Sequence, residues 1–175
     1  MKLNKYIAIA IFGLVALSCS VIDDLLTFSI DNQTTVTIPS GFPVNTAFEL
    51  ITPDITSNSS SEFENNNTKA ELVKDVRLKE LKLTVTNPAN KSFSFLKSIR
   101  MYISTNDSDE IELAFLTDIN STSNTIDLTC TSEKLDKYIK APSFRLRISA
   151  VTKETITQDI AIKAAMKFQV TADPF

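Results

Sequence analysis

The chain has no histidine, no tryptophan, two cysteines and two glycines among its 175 residues. Without histidine, the Ser-His-Asp and Cys-His nucleophile systems are excluded, as are zinc sites that need imidazole. Without tryptophan, the ring on which a sugar would stack falls to tyrosine, and Tyr102 and Tyr138 are the candidates. If Cys19 is modified, Cys130 stands alone and no intrachain disulfide forms, so stability must come from the core. With only Gly13 and Gly41, tightly coiled small barrels are disfavoured. No apolar run is long enough for an ordinary membrane span: residues 7–17 are 11 apolar residues, against about 20 needed to cross hydrocarbon.

That short run is nevertheless the most informative segment present. Lys2 and Lys5 precede it and Ser18-Cys19 closes it, the order of a secretory signal, with an uncleaved anchor as the alternative. Ala16-Leu17-Ser18-Cys19 resembles the lipobox of bacterial lipoproteins, although Ala16 departs from the leucine preferred there. The resemblance implies diacylglyceryl on the Cys19 thiol, loss of residues 1–18 and acylation, such as palmitate, of the new amino terminus. Each buried CH₂ contributes about 0.8 kcal/mol, so two or three chains anchor the protein permanently.

Residues 19–26 then form a short tether and residues 27–175 a single domain. Loss of Lys2 and Lys5 leaves 16 of the 18 basic side chains against 21 acidic ones, a net charge of −5. No basic stripe offsets phosphate repulsion, so nucleic acid is not a partner. Asp23-Asp24 resembles the acidic signal that follows the lipidated cysteine in some surface lipoproteins, favouring the cell surface over the periplasmic face of the outer membrane.

The domain is patterned with a period of two. Phe28 and Ile30 are followed by Val36 and Ile38, with Asp31-Asn32 between them, which predicts a hairpin. A strand at residues 47–51 should stop at Pro53. Residues 56–67, rich in serine and asparagine, read as an exposed crossing, with one helical turn to follow at 68–72. Val76 and Leu78 are out of register with Leu81, Leu83 and Val85, which predicts a bulge at Lys79-Glu80. The acidic turn at 106–110 joins a strand carrying Ile99, Met101 and Ile103 to one whose inward row is Ile111, Leu113 and Phe115. Ile126, Leu128 and Cys130 read as one short strand, and Leu135, Tyr138 and Ile139 as a brief helix capped by Ser132 or Thr131 and limited by Pro142. Two further strands, around Phe144–Ala150 and Ile160–Val170, would be neighbours. About eight one-faced strands bury their apolar rows by packing two sheets together. The expected fold is an all-β antiparallel β-sandwich, immunoglobulin-like in general architecture, with a closed barrel as runner-up.

The runs Leu78-Lys-Glu-Leu-Lys-Leu-Thr-Val-Thr86, Phe95-Leu-Lys-Ser-Ile-Arg-Met-Tyr-Ile-Ser104 and Thr157-Gln-Asp-Ile-Ala-Ile-Lys-Ala-Ala-Met-Lys-Phe-Gln-Val170 carry a second resemblance. Roughly residues 70–172 are similar to small uncharacterised lipoproteins of the Bacteroidota, a family that supplies no catalytic positions.

Chemistry is sparse. Glu49, Asp54, Asp75 and Glu80 could form a carboxylate pair of the glycosidase type, but their spacing does not single them out from solvated surface. The acidic turn Asp107-Ser-Asp-Glu110 lacks the EF-hand order and reads as turn chemistry, not a calcium loop. Cys130, with no histidine to stabilise a thiolate, reads as a small core residue. No enzyme, cofactor or metal is expected. The expected role is a membrane-anchored envelope interaction or structural module, with lipid on Cys19 and an envelope protein as partner. The alternative is a glycan-binding accessory using Tyr102 or Tyr138.

Overall fold

A computed structural model describes residues 26–173; the expected signal, Cys19 and all of the expected tether before Leu26 lie outside them. The strands in chain order are β1 (Thr27–Ile38), β2 (Ala47–Ile51), β3 (Ile55–Thr56), β4 (Val73–Asn87), β5 (Leu96–Ser104), β6 (Ile111–Leu116), β7 (Thr125–Asp127), β8 (Thr129–Cys130), β9 (Ser143–Thr152) and β10 (Ile160–Ala172). Two short helices, α1 (Ser59–Asn65) and α2 (Asp136–Lys140), interrupt them, along with 3₁₀ turns at Ala70–Leu72 and Phe93–Phe95.

One sheet runs β1-β10-β4-β7 and the other β2-β9-β5-β6-β8, with β3 also pairing β9. All pairings are antiparallel. The alternating rows of both sheets merge into one apolar core. Four fully buried phenylalanines, Phe93, Phe95, Phe144 and Phe168, stand in it, each contributing about 1.5–3 kcal/mol through burial. The antiparallel β-sandwich is therefore the architecture, but its strand order is not the immunoglobulin one. The first strand pairs with the last, and consecutive strands β1 and β2 lie in opposite sheets. Leaving aside the two-residue strands β3 and β8, that is the jelly-roll order.

The same order corrects the expectation for β9 and β10, which face each other across the core instead of lying side by side. The rings of Phe144 and Phe168 meet edge-on between the sheets, 6.4 Å apart. Period-two alternation fixes which residues a strand buries, not which sheet it joins.

Local turn chemistry also yields to pairing at the start of the domain. The expected hairpin at Asp31-Asn32 is a single strand, in unbroken register with β10 from Thr27↔Thr171 to Ile38↔Ile160. Asn32 takes a buried inward position, and its Nδ2 donates to the Ser57 carbonyl at 3.0 Å, which satisfies the amide there. The polar stretch at 56–67 is more ordered than expected. It contains α1, whose Phe63 is 2 % exposed and packs edge-on against Phe28 at 6.3 Å.

Residues 125–130 form two strands, not one: β7 pairs β4, β8 pairs β6, and the chain changes sheets at buried Leu128. Neither Thr131 nor Ser132 caps the following helix, whose N-terminus at Leu135 has no side-chain cap, and the Thr131 hydroxyl is instead directed at the carbonyls of Glu112 and Leu113 at 2.9 and 3.1 Å. Other expectations hold. The register shift lies at Lys79, between the Glu80↔Lys167 and Leu78↔Phe168 pairs, β2 ends at Ile51, a 3₁₀ turn occupies 70–72, and α2 ends before Pro142. Gly41, at φ +103, occupies a left-handed position in the β1–β2 connection, and its N–H donates to the Ile156 carbonyl at 2.7 Å.

Candidate functional site: a charge-balanced aromatic face

Two neighbouring cross-strand rungs stand among the outward positions of the β2-β9-β5-β6 sheet. One runs Ile51, Arg147, Tyr102, Glu112; the next runs Glu49, Ser149, Arg100, Phe115. Cross-strand neighbours on one sheet face are close enough to interact directly, and these do. Arg147 places its guanidinium carbon 4.0 Å from the centroid of the half-buried Tyr102 ring. Its Nε and Nη2 donate to the two carboxylate oxygens of Glu110 at 2.9 and 2.5 Å, while Nη1 donates to Glu49 at 2.8 Å. One guanidinium thus stacks and forks at once, which its planar geometry allows.

A parallel unit sits beside it. Arg100 donates to Glu112 and lies 5.4 Å from the centroid of the Phe115 ring. Along the same face Arg145 reaches Asp107 at 3.2 Å and Asp54 at 3.6 Å. These pairs set the local ionisation. The hydrogen bond from Arg147 holds the Glu110 carboxyl below its ordinary range, and the reciprocal bond raises Arg147. The bond to Glu112 likewise raises Arg100. Next to Tyr102, a concavity of about 220 Å³ is lined by Ile51, Ser104, Asp107, Glu110, Arg145 and Arg147, among others.

Phe115 corrects the sequence expectation, which put it in the core row. Met101 opposes Ala114 and Tyr102 opposes Glu112, so Leu113 is an extra residue in β6. Leu113 and Ala114 are both fully buried, and beyond them the alternation is reversed. The four consecutive apolar residues Leu113-Ala114-Phe115-Leu116 were the available signal, because a strand with one wet face does not normally carry such a run.

The two tyrosine candidates separate. Tyr102 lies on the outer face, and Arg147, directly opposite it on β9, stacks on its ring. Tyr138 is 5 % exposed on α2, and its hydroxyl donates to the Asp109 carbonyl. Burial pushes its phenol up. It fastens α2 to the β5–β6 turn and presents no open ring.

The acidic turn is organised around Asp109. Its carboxylate accepts from the backbone N–H groups of Thr105 and Asn106 at 2.9 and 3.0 Å, from Asn106 Nδ2 at 3.1 Å and from the Thr105 hydroxyl, and pairs with Lys137 at 2.8 Å. Burial alone would raise this carboxyl, but Lys137, Thr105 and Asn106 together hold it far below the usual range. Its oxygens are occupied by turn and helix contacts. Among the described residues, no group of three or more Asp, Glu, Cys or His side chains is placed to hold a metal ion.

The four candidate carboxylates are not brought together as a catalytic pair. Glu49 is engaged by Arg147, Asp54 by Arg145, Asp75 by Arg77 and Glu80 by Lys167. Cys130 is half-buried, and burial pushes its thiol up. Size alone does not select a site either. A wider concavity of about 500 Å³ on the opposite sheet lies over Ala165 among Asp31, Gln33, Glu80, Lys82 and Lys167, with no ring in its lining.

The structure is thus a jelly-roll β-sandwich bearing an ion-paired aromatic face. No protein-family profile matches the chain, and no curated protein matches it in sequence. Among solved structures it is similar to a desmodium yellow mottle tymovirus chain (14 % identity, 85 % of this chain and 83 % of that one, TM-score 0.33). It is also similar to the 60-mer BFDV capsid protein (10 % identity, 85 % and 95 %, TM-score 0.35). A third similar chain is described among carbohydrate-binding modules from the beta-sandwich super family (13 % identity, 79 % and 54 %, TM-score 0.30). Likenesses this loose say nothing about a ligand, for which the face's own geometry must speak.

Proposed function

We propose that the chain is a non-catalytic recognition module of the bacterial envelope, whose outer β2-β9-β5-β6 face binds a glycan. The observation that carries this is the Tyr102 ring held 4.0 Å from Arg147 and surrounded by carboxylates. A binding site needs apolar area together with a few convergent polar groups, and this face supplies both. The ring is positioned before any ligand arrives, which lowers the ordering cost of binding. The lipid on Cys19 would hold the module on the outer membrane, with Asp23-Asp24 favouring outward display. Affinity electrophoresis through polysaccharides tests the binding: retardation should be lost in Tyr102→Ala.

A second reading, docking to an envelope protein, is favoured by Ile51. This side chain is 66 % exposed on β2, the edge strand of its sheet. If that reading holds, Ile51→Lys will abolish crosslinking to an envelope partner, and the wild type will show no polysaccharide retardation.

A further inference from the structure

We infer that the glycan taken by this face is uncharged, and that the concavity beside Tyr102 holds its hydroxyl groups. The inference rests on the glycan reading above and specifies its ligand class. Its basis is the charge balance of the face.

Every arginine there is already matched: Arg100 to Glu112, Arg145 to Asp54 and Asp107, and Arg147 to Glu49 and Glu110. Three guanidinium groups thus face five carboxylates. A uronic acid or sulfated sugar would have to displace a carboxylate from one of these arginines and then lie among the acids it had released. Placing like charges together at an interface costs several kcal/mol. The cost is greatest at Arg147, where Glu110 occupies two of the guanidinium nitrogens and Glu49 a third.

A neutral hydroxyl meets no such barrier. It both donates and accepts, and an ionised carboxylate offers about four lone-pair sites. Glu110 spends one bond on each oxygen with Arg147, so acceptor capacity remains on both. Asp107 is 98 % exposed at its side chain and Ser104 adds a hydroxyl to the same concavity. From there the rung leads across the sheet to the Tyr102 ring, with Phe115 diagonal to it on the next rung. The arrangement fits a sugar that stacks on a ring while its hydroxyls engage fixed carboxylates, without exchanging a charge.

The test uses the full chain in detergent and polysaccharides matched in backbone but not in charge: dextran against dextran sulfate, and methyl-esterified pectin against polygalacturonate. The expected result is binding to a neutral member, with its acidic counterpart weaker by at least about tenfold. In the double variant Glu49→Gln/Glu110→Gln, checked for folding by circular dichroism, Arg147 is released from its carboxylates and the preference should narrow or reverse. Acidic members binding as tightly as neutral ones in the wild type would overturn the inference and leave the glycan reading standing. Binding by neither series would overturn both.

Discussion

The guanidinium of Arg147 lies 4.0 Å from the ring centroid of Tyr102 while forking onto Glu110 and reaching Glu49. Strand pairing creates this relationship, because Tyr102 and Arg147 are directly opposed in the β5–β9 ladder. A cation over a ring at a partly exposed site is worth about 0.5–1 kcal/mol. A double-mutant cycle with Tyr102→Ala and Arg147→Ala, measured by urea unfolding, should therefore return a favourable coupling of about that size. A coupling of zero would show that the stack does not persist in solution.

Asp109 provides a pH-dependent contribution. Its carboxyl titrates far lower in the folded protein than in the unfolded chain. The unfolded state therefore binds the proton first as pH falls, and stability rises with pH across that window. The contribution is complete above the ordinary carboxylate range and declines as pH drops below about 4. Asp109→Asn should cost about 1.5–3 kcal/mol at neutral pH, the usual value for hydrogen bonds to a charged group. In paired urea titrations the gap between wild type and variant should shrink towards pH 2.

The edge-on pair of Phe144 and Phe168 joins the two sheets. Phe168 is fully buried, so Phe168→Ala should destabilise by about 3–5 kcal/mol through lost burial and the cavity left behind. Phe115→Ala, on the outer face, should cost far less, within about 1 kcal/mol. Denaturation midpoints of the two variants separate core from face directly. Equal losses would contradict the outward placement of Phe115.

The strand rows were largely legible in the sequence, and the sheets they join were not. Phe144, Leu146 and Ile148 announce a one-faced strand, yet the same pattern suits a neighbour or an opposite of β10. Only long-range pairing decides between them. The same gap explains β1, where Asp31-Asn32 has turn chemistry but twelve residues of pairing with β10 outweigh it. Tyr102 could be placed on the outer face from alternation alone. Its partner Arg147 could not, since 45 residues separate them in the chain. Phe115 was hidden by the extra residue at Leu113, which reverses the alternation. Tyr138 shared its chemistry with Tyr102, but a helix facing the core turned it inward.

The lipid anchor is tested apart from the face. If Cys19 bears the proposed anchor, Cys19→Ser should abolish palmitate incorporation and move the protein from the membrane to the soluble fraction, because every acyl chain of that anchor depends on this one residue. Unchanged membrane retention would point to an uncleaved apolar segment instead.

Glycan binding by the outer face is read directly by calorimetric titration of dextran and methyl-esterified pectin into wild type, Tyr102→Ala and Phe115→Ala. A glycan-binding face built on Tyr102 gives saturable binding of at least one neutral polysaccharide by the wild type, and a loss of about tenfold or more in Tyr102→Ala. Binding that is absent in the wild type, or that survives Tyr102→Ala undiminished, would contradict it.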